Sequence, residues 1–392
     1  MKKTLVVFLI TITFLIGNTY VISKKEYNME NNDEEIRGIY ISYLEYLSYF
    51  QNNNIDVNKS YINKMLDQIR DNKFNNIFLH VSPFSDSIYK SNIFPYSYTL
   101  TGTEGKDPGM DYLDYFIKES HLRNIKVHAW INPYRISNTT DINKLSSNNP
   151  AITFLKTGDA KITKTGIYYN PSSSKVIDLL IKQIYEIITN YEVDGIHLDD
   201  YFYEDLEIDL ENYQRYFLNN NISFEEYRYN IINTTIKTIY KLIKDYNKNI
   251  IFSIAPDGNI ENNYQLHFAD VKKWLKENNY IDIIMPQVYY GFNNDLKPFE
   301  KTINEWNNLI TNNVKIVPVL AFYKVGLEDT YAGNGKYEWV NNKDIIAKQI
   351  IYSKTLNHYQ GFTLFRYEYL FNENLFNNNT KEELNNVLNL TK

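Results

Sequence analysis

The chain has 392 residues and a net charge of −6, with 43% hydrophobic and 16% aromatic side chains and no cysteine. This composition excludes a disordered chain, a basic nucleic-acid binder and a multi-pass membrane protein, because the chain is apolar enough to bury a core and is not basic. The absence of cysteine excludes disulfide bonds, thiolate nucleophiles and cysteine-based zinc sites.

The first organised feature is an apolar run at residues 4–22, with two lysines on each side of it. Its length and basic flanks fit a secretory signal or a single membrane anchor, and no cleavage site decides between the two; a buried strand or helix is the remaining alternative. Positive charge before the run predicts that the rest of the chain lies outside the cytoplasm, either secreted or anchored to the membrane. We expect residues 1–25 to form this signal or anchor, residues 26–35 a polar linker, and residues 36–392 one folded domain.

Strand-like apolar runs alternate with amphipathic helical stretches from residue 36 onward, which is typical of parallel β/α architecture. Eight runs predict strands, at residues 36–42, 76–83, 126–133, 193–201, 249–256, 281–289, 315–323 and 361–369. The predicted helices lie at residues 61–72, 112–123, 175–190, 225–246, 266–278, 299–312, 343–357 and 381–390. Eight strand and helix pairs predict a (β/α)₈ TIM barrel. A doubly wound open sheet is the alternative, and no glycine-rich loop follows a strand to support a nucleotide cofactor.

The predicted barrel mouth carries an unusual number of polar side chains, and a barrel places its chemistry at the C-terminal ends of its strands. In the fourth strand His197 and Asp199 alternate with aliphatic residues, so they share the face that points into the barrel. The same alternation turns His80 and His128 inward on the second and third strands. The sequence therefore predicts three histidines and an aspartate facing one mouth.

Five blocks carry a resemblance to a known family: residues 36–42, 85–109, 128–135 (HAWINPYR), 194–203 (DGIHLDDYFY) and 282–289. They resemble glycosyl-hydrolase-like family 10. The resemblance covers about residues 34–370 and implies a secreted or surface-attached (β/α)₈ glycosidase-like domain. One branch of the family resembles a hydrolase that cuts peptidoglycan strands stripped of their stem peptides.

The fourth strand also resembles the Asp-Gly-Phe-Arg-x-Asp pattern of the α-amylase clan. The last Asp of that pattern is the nucleophile, and the resemblance implies the same role for Asp199. Glycoside hydrolysis needs a second carboxyl group, about 5 Å away for retention or about 6.5–9.5 Å for inversion. Glu368, Asp257 and Asp200 are the candidates, and we favour Glu368 over Asp257. Asp257 can also be explained as a turn residue, and Glu368 as the salt-bridge partner of Arg366.

Side chains at the predicted mouth are candidates for sugar contacts, because polar groups bind hydroxyls and aromatic rings stack on sugar faces. Arginines there can bind a carboxylate such as the lactyl group of muramic acid. The candidate substrate-binding residues are His80, His128, Asn132, Tyr134, Arg135, His197, Asp200, Tyr201, Tyr203, Gln287, Tyr289 and Arg366. The other histidines, His121, His267 and His358, fall in helical stretches and are expected at the surface.

Together these features predict an exported glycoside hydrolase that cleaves a bacterial cell-wall or surface polysaccharide by carboxylate chemistry, without metal or organic cofactor. One alternative is a non-catalytic barrel that binds the glycan. Another is a metal-dependent deacetylase using the three inward histidines and Asp199, although no HxH or HExxH spacing supports it. We expect a polysaccharide partner, no nucleic acid, and membrane contact only through residues 4–22. The sugar, the linkage, the anomeric outcome and the oligomeric state stay open.

Overall fold

The computed structural model describes residues 34–51, 54–199, 202–205 and 207–391, with the backbone alone at residues 219 and 220. It also gives the backbone of Leu9–Thr13 and Thr19–Ser23, which pair as antiparallel strands. The rest of the predicted signal or anchor, and the predicted linker up to residue 33, lie outside the described residues. Among the helices that are described, none is both long enough and apolar enough to cross a membrane.

Eight parallel strands form the centre of the structure and are labelled β1 to β8. Their bounds are Ile36–Ile41 (β1), Asn76–Ser82 (β2), Lys126–Ile131 (β3), Gly195–Asp199 (β4), Ile251–Ala255 (β5), Ile283–Ile284 (β6), Lys315–Ile316 with Val319–Ala321 (β7), and Gly361–Phe365 (β8). β7 is split in two at Pro318, which has no N–H to donate to a neighbouring strand. The first piece of β7 pairs with β6 and the second pairs with β8. An isolated pairing of Gln287 with Val319 completes the closure.

Helices surround the strands. The α-helices are Tyr43–Tyr49, Ile55–Asp71, Tyr98–Thr101, Tyr112–His121, Pro150–Thr157, Ser174–Asn190, Leu210–Asn220, Phe224–Tyr246, Ile260–Gln265, Val271–Trp274, Phe299–Leu309, Glu338–Asn341, Ile345–Ser353, Tyr367–Phe371 and Thr380–Thr391. Short 3₁₀ helices lie at Ile142–Lys144, Phe322–Lys324, Gly333–Tyr337 and Glu373–Leu375. The loop after β3 forms a small antiparallel sheet from Arg135–Ser137, Ile167–Tyr169 and Ala160–Ile162.

The (β/α)₈ barrel predicted from the sequence is confirmed, and the strands lie within the predicted runs. One helix prediction is wrong. Residues 266–278 do not form one helix, because Phe268 adopts a left-handed backbone with φ of 52° that interrupts it. A new helix then begins at Val271, where the side chain of Asp270 accepts a hydrogen bond from the N–H of Lys273.

Two hydrophobic cores follow from the alternation of side chains along the strands. The larger core lies between the strands and the surrounding helices. The smaller core fills the barrel interior and consists of Ile36, Tyr40, Phe78, Trp130, Ala255, Ile283, Met285, Val317 and Val319. Because the interior is filled by side chains, the barrel is a solid support for its mouth and not a pore.

The first residue of β4 is a glycine, Gly195, and the packed barrel interior leaves no space for a larger residue there. A Cβ atom built on Gly195 would stand 2.1 Å from His128 Nδ1, far inside van der Waals contact. We therefore expect Gly195→Ala to lower the free energy of unfolding by about 1–3 kcal/mol, the usual cost of overpacking, measured by urea denaturation. Because the clash is with the ring of His128, the double variant G195A/H128A should lose less unfolding free energy than the two single variants lose in total. Strictly additive losses would contradict this steric explanation.

Candidate active site

Asp199, the last residue of β4, lies half-buried at the barrel mouth. Gln287, just beyond β6, donates a hydrogen bond from Nε2 to Asp199 Oδ1 at 2.9 Å. The same nitrogen donates to the carbonyl oxygen of Ala255, at the end of β5, at 3.1 Å. Gln287 therefore ties three strand ends together and fixes the direction of the carboxylate. A side chain held in one orientation by its neighbours is suited to catalysis.

His197 lies one inward position below Asp199 and is completely buried. Hydrogen bonds join its Nε2 to the Tyr40 hydroxyl at 2.9 Å and its Nδ1 to Ser253 Oγ at 2.8 Å. Burial, with a smaller contribution from His128, lowers the pKa of His197 well below its ordinary value, so the ring is neutral near pH 7. Both ring nitrogens are used inside the barrel. This placement favours a positioning function beneath Asp199 over direct contact with substrate.

The structure does not bring the three histidines to the mouth, although all three point inward. His80 is buried and stacks on Trp130, with ring centroids 3.5 Å apart. His128 is only the third residue of β3, so it lies deeper; it stacks on Phe78 and its Nε2 shares a hydrogen bond with Asn76 Oδ1 at 2.9 Å. Burial lowers the pKa of His80 well below its ordinary value and that of His128 to about 4.

The end of β3 supplies two further predicted residues to the region of the mouth. Asn132 is buried, accepts a hydrogen bond from Trp130 Nε1 at 3.2 Å and donates to the carbonyl oxygen of Pro83 at 3.2 Å. Arg135 is half-buried, and its guanidinium lies 5.2 Å from the ring centre of Phe84. Within the described residues no carboxylate forms an ion pair with Arg135, whose Nε donates a hydrogen bond to the carbonyl oxygen of Pro83 at 3.4 Å.

Two predicted tyrosines lie in the outer core instead of at the mouth. Tyr134 packs edge-on against Phe202, and Tyr203 packs beneath the Arg228 guanidinium at 4.8 Å. The loop that carries Tyr203 lies against Arg228, which forms a buried ion pair with Asp209 at 2.6 Å. The other two predicted residues of this loop, at positions 200 and 201, lie outside the described residues.

Glu368, our favoured second carboxylate, is held in an ion-pair network beyond β8. Arg366 Nη1 bonds to Glu368 Oε2 at 3.0 Å and to Glu45 Oε1 at 2.5 Å. Glu45 is completely buried and also accepts hydrogen bonds from the N–H and the hydroxyl of Ser42. Burial raises the pKa of Glu45, although Arg366 and Ser42 oppose the rise. The guanidinium of Arg366 is thus already shared by two carboxylates.

Asp257, the other candidate, lies in the turn after β5. Its Oδ1 accepts a hydrogen bond from the N–H of Asn259 at 2.7 Å, and its Oδ2 accepts one from Asn262 Nδ2 at 2.9 Å. Both carboxylate oxygens therefore stabilise the turn that leads into the next helix.

The prediction that His267 lies at the surface is wrong, because its side chain is buried and only 9% exposed. Burial lowers the pKa of His267, and the nearby charges of Asp257, Glu204 and Asp199 oppose that shift. All three carboxylates thus act on the pKa of His267 through their charge. Glu204 is exposed and was missed, since it lies on a loop whose path the sequence pattern does not reveal.

An aromatic wall stands on the other side of the mouth, formed by Tyr289, Tyr323 and Phe365. Tyr289 lies edge-on to Tyr323 with ring centroids 5.8 Å apart, and 6.1 Å from Phe365. All three rings are partly exposed. Tyr289 was predicted as a sugar contact, whereas Tyr323 and Phe365 were missed because aromatic residues are common throughout this sequence.

The described part of the chain contains no group of three His, Asp or Glu side chains arranged to hold a metal ion. A closed barrel with a fixed carboxylate and an aromatic wall at its mouth has the architecture of a TIM-barrel glycosidase. The barrel resembles an endo-1,4-β-mannanase from Rhizomucor miehei, with a TM-score of 0.56, 11% identity and coverage of 93% of this chain and 96% of that one. It also resembles the catalytic domain of a β-amylase from Paenibacillus polymyxa, with a TM-score of 0.56, 10% identity and coverage of 92% and 99%. At such identities the likeness concerns the fold alone.

The chain belongs to the glycosyl hydrolase-like 10 family, which it matches over residues 35–337. This confirms the resemblance seen in the sequence. Glycosyl hydrolase YngK of Bacillus subtilis is 30% identical over 370 residues, covering 88% of this chain and 68% of YngK. Glycosyl hydrolase DigH of Escherichia coli K12 is 26% identical over 386 residues, covering 89% of this chain and 86% of DigH.

The buried histidines make stability depend on pH in a way that can be assigned to single residues. The pKa of His128 is about 4 in the folded protein and ordinarily 6.5, so between these values the unfolded chain takes up a proton that the folded chain does not. His128 thus reduces stability as the pH falls through that window. We expect His128→Gln to flatten the pH dependence of the unfolding free energy there by up to about 1.4 kcal/mol per pH unit, measured by urea denaturation.

His121 provides a control of opposite sign. Its hydrogen bond to Asp194 raises the pKa of His121, so this residue stabilises the fold below its unfolded pKa and loses that contribution as the pH rises through its folded pKa. As the pH rises above about 6.5, we therefore expect the free energy of unfolding to fall less in His121→Gln than in the unsubstituted protein. If H128Q kept the pH dependence of the unsubstituted protein, His128 would not be the buried neutral group described.

Proposed function

We propose that this protein is an exported glycoside hydrolase that cleaves a bacterial cell-wall or surface polysaccharide, in particular peptidoglycan glycan strands. The observation that carries the proposal is the carboxylate of Asp199, held by Gln287 at 2.9 Å at the mouth of a barrel of this family. The names of YngK and DigH as glycosyl hydrolases support it.

Asp199 acts as the nucleophile or the general base in this proposal, and a second carboxyl group protonates the leaving oxygen. Gln287 and the His197 network keep Asp199 in place while the sugar ring approaches from the mouth. No step requires a metal or an organic cofactor.

Glu204 is the best placed second carboxylate among the described residues. A general acid must present its proton to the leaving oxygen, so an oxygen already bound elsewhere is poorly suited. Both oxygens of Asp257 are bound in a turn, and Glu368 is held by Arg366. Glu204 is exposed on the loop that follows β4, and its charge, like that of Asp199, opposes the lowering of the His267 pKa.

Two sides of the mouth support the proposed substrate class. The partly exposed rings of Tyr289, Tyr323 and Phe365 offer faces on which sugar rings can stack. Arg135 offers a guanidinium that no carboxylate of the described chain neutralises, which suits a glycan bearing carboxylates such as the lactyl groups of muramic acid. The apolar run at residues 4–22 would deliver the domain to the side of the membrane where such a glycan lies.

We expect Asp199→Asn to abolish the release of new saccharide ends from isolated peptidoglycan glycan strands, because the amide cannot act as nucleophile or base. The measurement is product analysis by mass spectrometry on strands with and without stem peptides. Asp178→Asn is a matched control, since Asp178 lies on the helix Ser174–Asn190, where it pairs with Lys182. It should give the products of the unsubstituted protein.

Intact strands that co-sediment equally with the unsubstituted protein and D199N would contradict the enzyme proposal and leave a glycan-binding barrel.

The second carboxylate can be identified by comparing three variants. We expect Glu204→Gln to lower kcat by about 10²–10⁴-fold, the usual contribution of a general acid, and to regain activity on an aryl glycoside whose leaving group needs no proton. Asp257→Asn and Glu368→Gln should lower the unfolding free energy and retain turnover. Normal turnover in E204Q would contradict this assignment. If D257N or E368Q instead lost turnover and recovered it on the aryl glycoside, the residue substituted in that variant would be the general acid.

A further inference from the structure

A cavity of about 570 Å³ lies at the end of the barrel opposite Asp199. The first residues of several strands line it, including Asn76 of β2, Ile251 of β5 and Ile283 of β6. Because strands of a parallel barrel all begin at the same end, this cavity is separated from the mouth by the filled interior. It therefore does not belong to the candidate active site.

The charge of this basal cavity is positive. Lys126, Lys248 and Lys315 line it, and none of them has an ion-pair partner among the described residues. The fourth lysine, Lys244, is already neutralised, since its ammonium lies 2.6 Å from Asp282 and also donates to a backbone carbonyl oxygen.

The acidic groups at the cavity are also occupied. Asp282 is paired with Lys244 and accepts a hydrogen bond from the N–H of Phe252. Glu34 accepts a hydrogen bond from Asn75 at 2.9 Å and lies 3.9 Å from the Arg37 guanidinium. The cavity lining thus holds four lysines against two carboxylates, and three of the lysines have no ion-pair partner among the described residues.

We propose that this basal cavity binds a phosphate group. Lysine ammonium groups bind phosphate as point charges, and a phosphate that carries up to two negative charges matches several lysines better than a single carboxylate does. Asn249, Asn279 and Asn313 line the same cavity and can donate amide hydrogens to the remaining oxygens.

A lipid headgroup and a soluble phosphate compound are the two sources of this chemistry. Glu34 lines the cavity, and the apolar run ends at residue 22. The intervening residues span at most roughly 40 Å when fully extended. If that run anchors the chain, an anionic bilayer surface lies within reach of the basal cavity, and the mouth faces away from it.

The test compares the full chain with the triple variant K126Q/K248Q/K315Q. The control triple variant K144Q/K156Q/K164Q removes the same charge from exposed lysines in the loop after β3, at the other end of the barrel. Titration with inorganic phosphate and with glycerol phosphate at constant ionic strength, followed by the rise in Tm, gives an apparent Kd for each protein. We expect the basal variant to bind at least about tenfold more weakly than the other two proteins.

Equal apparent Kd values in all three proteins, or no rise in Tm in any of them, would overturn the proposal. An unchanged Tm of the basal variant in the absence of phosphate would show that this variant is folded. If the three substitutions disturb the fold, K315Q alone, at an exposed position, must still weaken phosphate binding for the proposal to stand.

Vesicles distinguish the two sources once phosphate binding is established. A lipid headgroup predicts that vesicles containing phosphatidylglycerol retain the full chain and the control variant better than the basal variant, with no difference on pure phosphatidylcholine. Equal retention of all three proteins on both kinds of vesicle assigns the cavity to a soluble phosphate compound.

Discussion

The closed barrel removes inward-pointing polar side chains from water, so most of them depend on partners from other strands. Tyr40, His197 and Ser253 satisfy one another across β1, β4 and β5. Gln287 does the same one level higher, where it bonds to Asp199 and to the end of β5. Two sets of hydrogen bonds at successive levels of the barrel therefore hold together the strands that carry the mouth.

The sequence could predict which side chains point inward, but not how deep each of them lies. Side-chain alternation correctly turned His80, His128 and His197 into the barrel, because each strand has one face on the helices. The depth of a side chain in the barrel depends on the stagger between neighbouring strands, and the sequence of one strand does not reveal that stagger. His128 thus lies below the level of His197, with Gly195 pressed against its ring.

The loops were less predictable than the strands, for a different reason. Tyr134 and Tyr203 follow strand ends and looked accessible, yet Tyr134 packs on Phe202 and Tyr203 packs on Arg228, which is paired with Asp209. His267 looked like a helix-surface residue because the left-handed backbone at Phe268 leaves no trace in hydrophobic periodicity. A site built partly from loops can be located from sequence, whereas the partners of its carboxylates need the folded chain.

The ion pair between Glu45 and Arg366 has a consequence for how this chain becomes folded. These residues join the beginning of the barrel to its end across 321 positions of sequence. Ser42 donates hydrogen bonds to Glu45 locally, but the charge of Glu45 has no cationic partner until Arg366 is in place, so closure requires nearly all of the polypeptide. If the chain is exported as proposed, such late closure would leave the barrel open during passage through a translocation channel and complete it only on the far side.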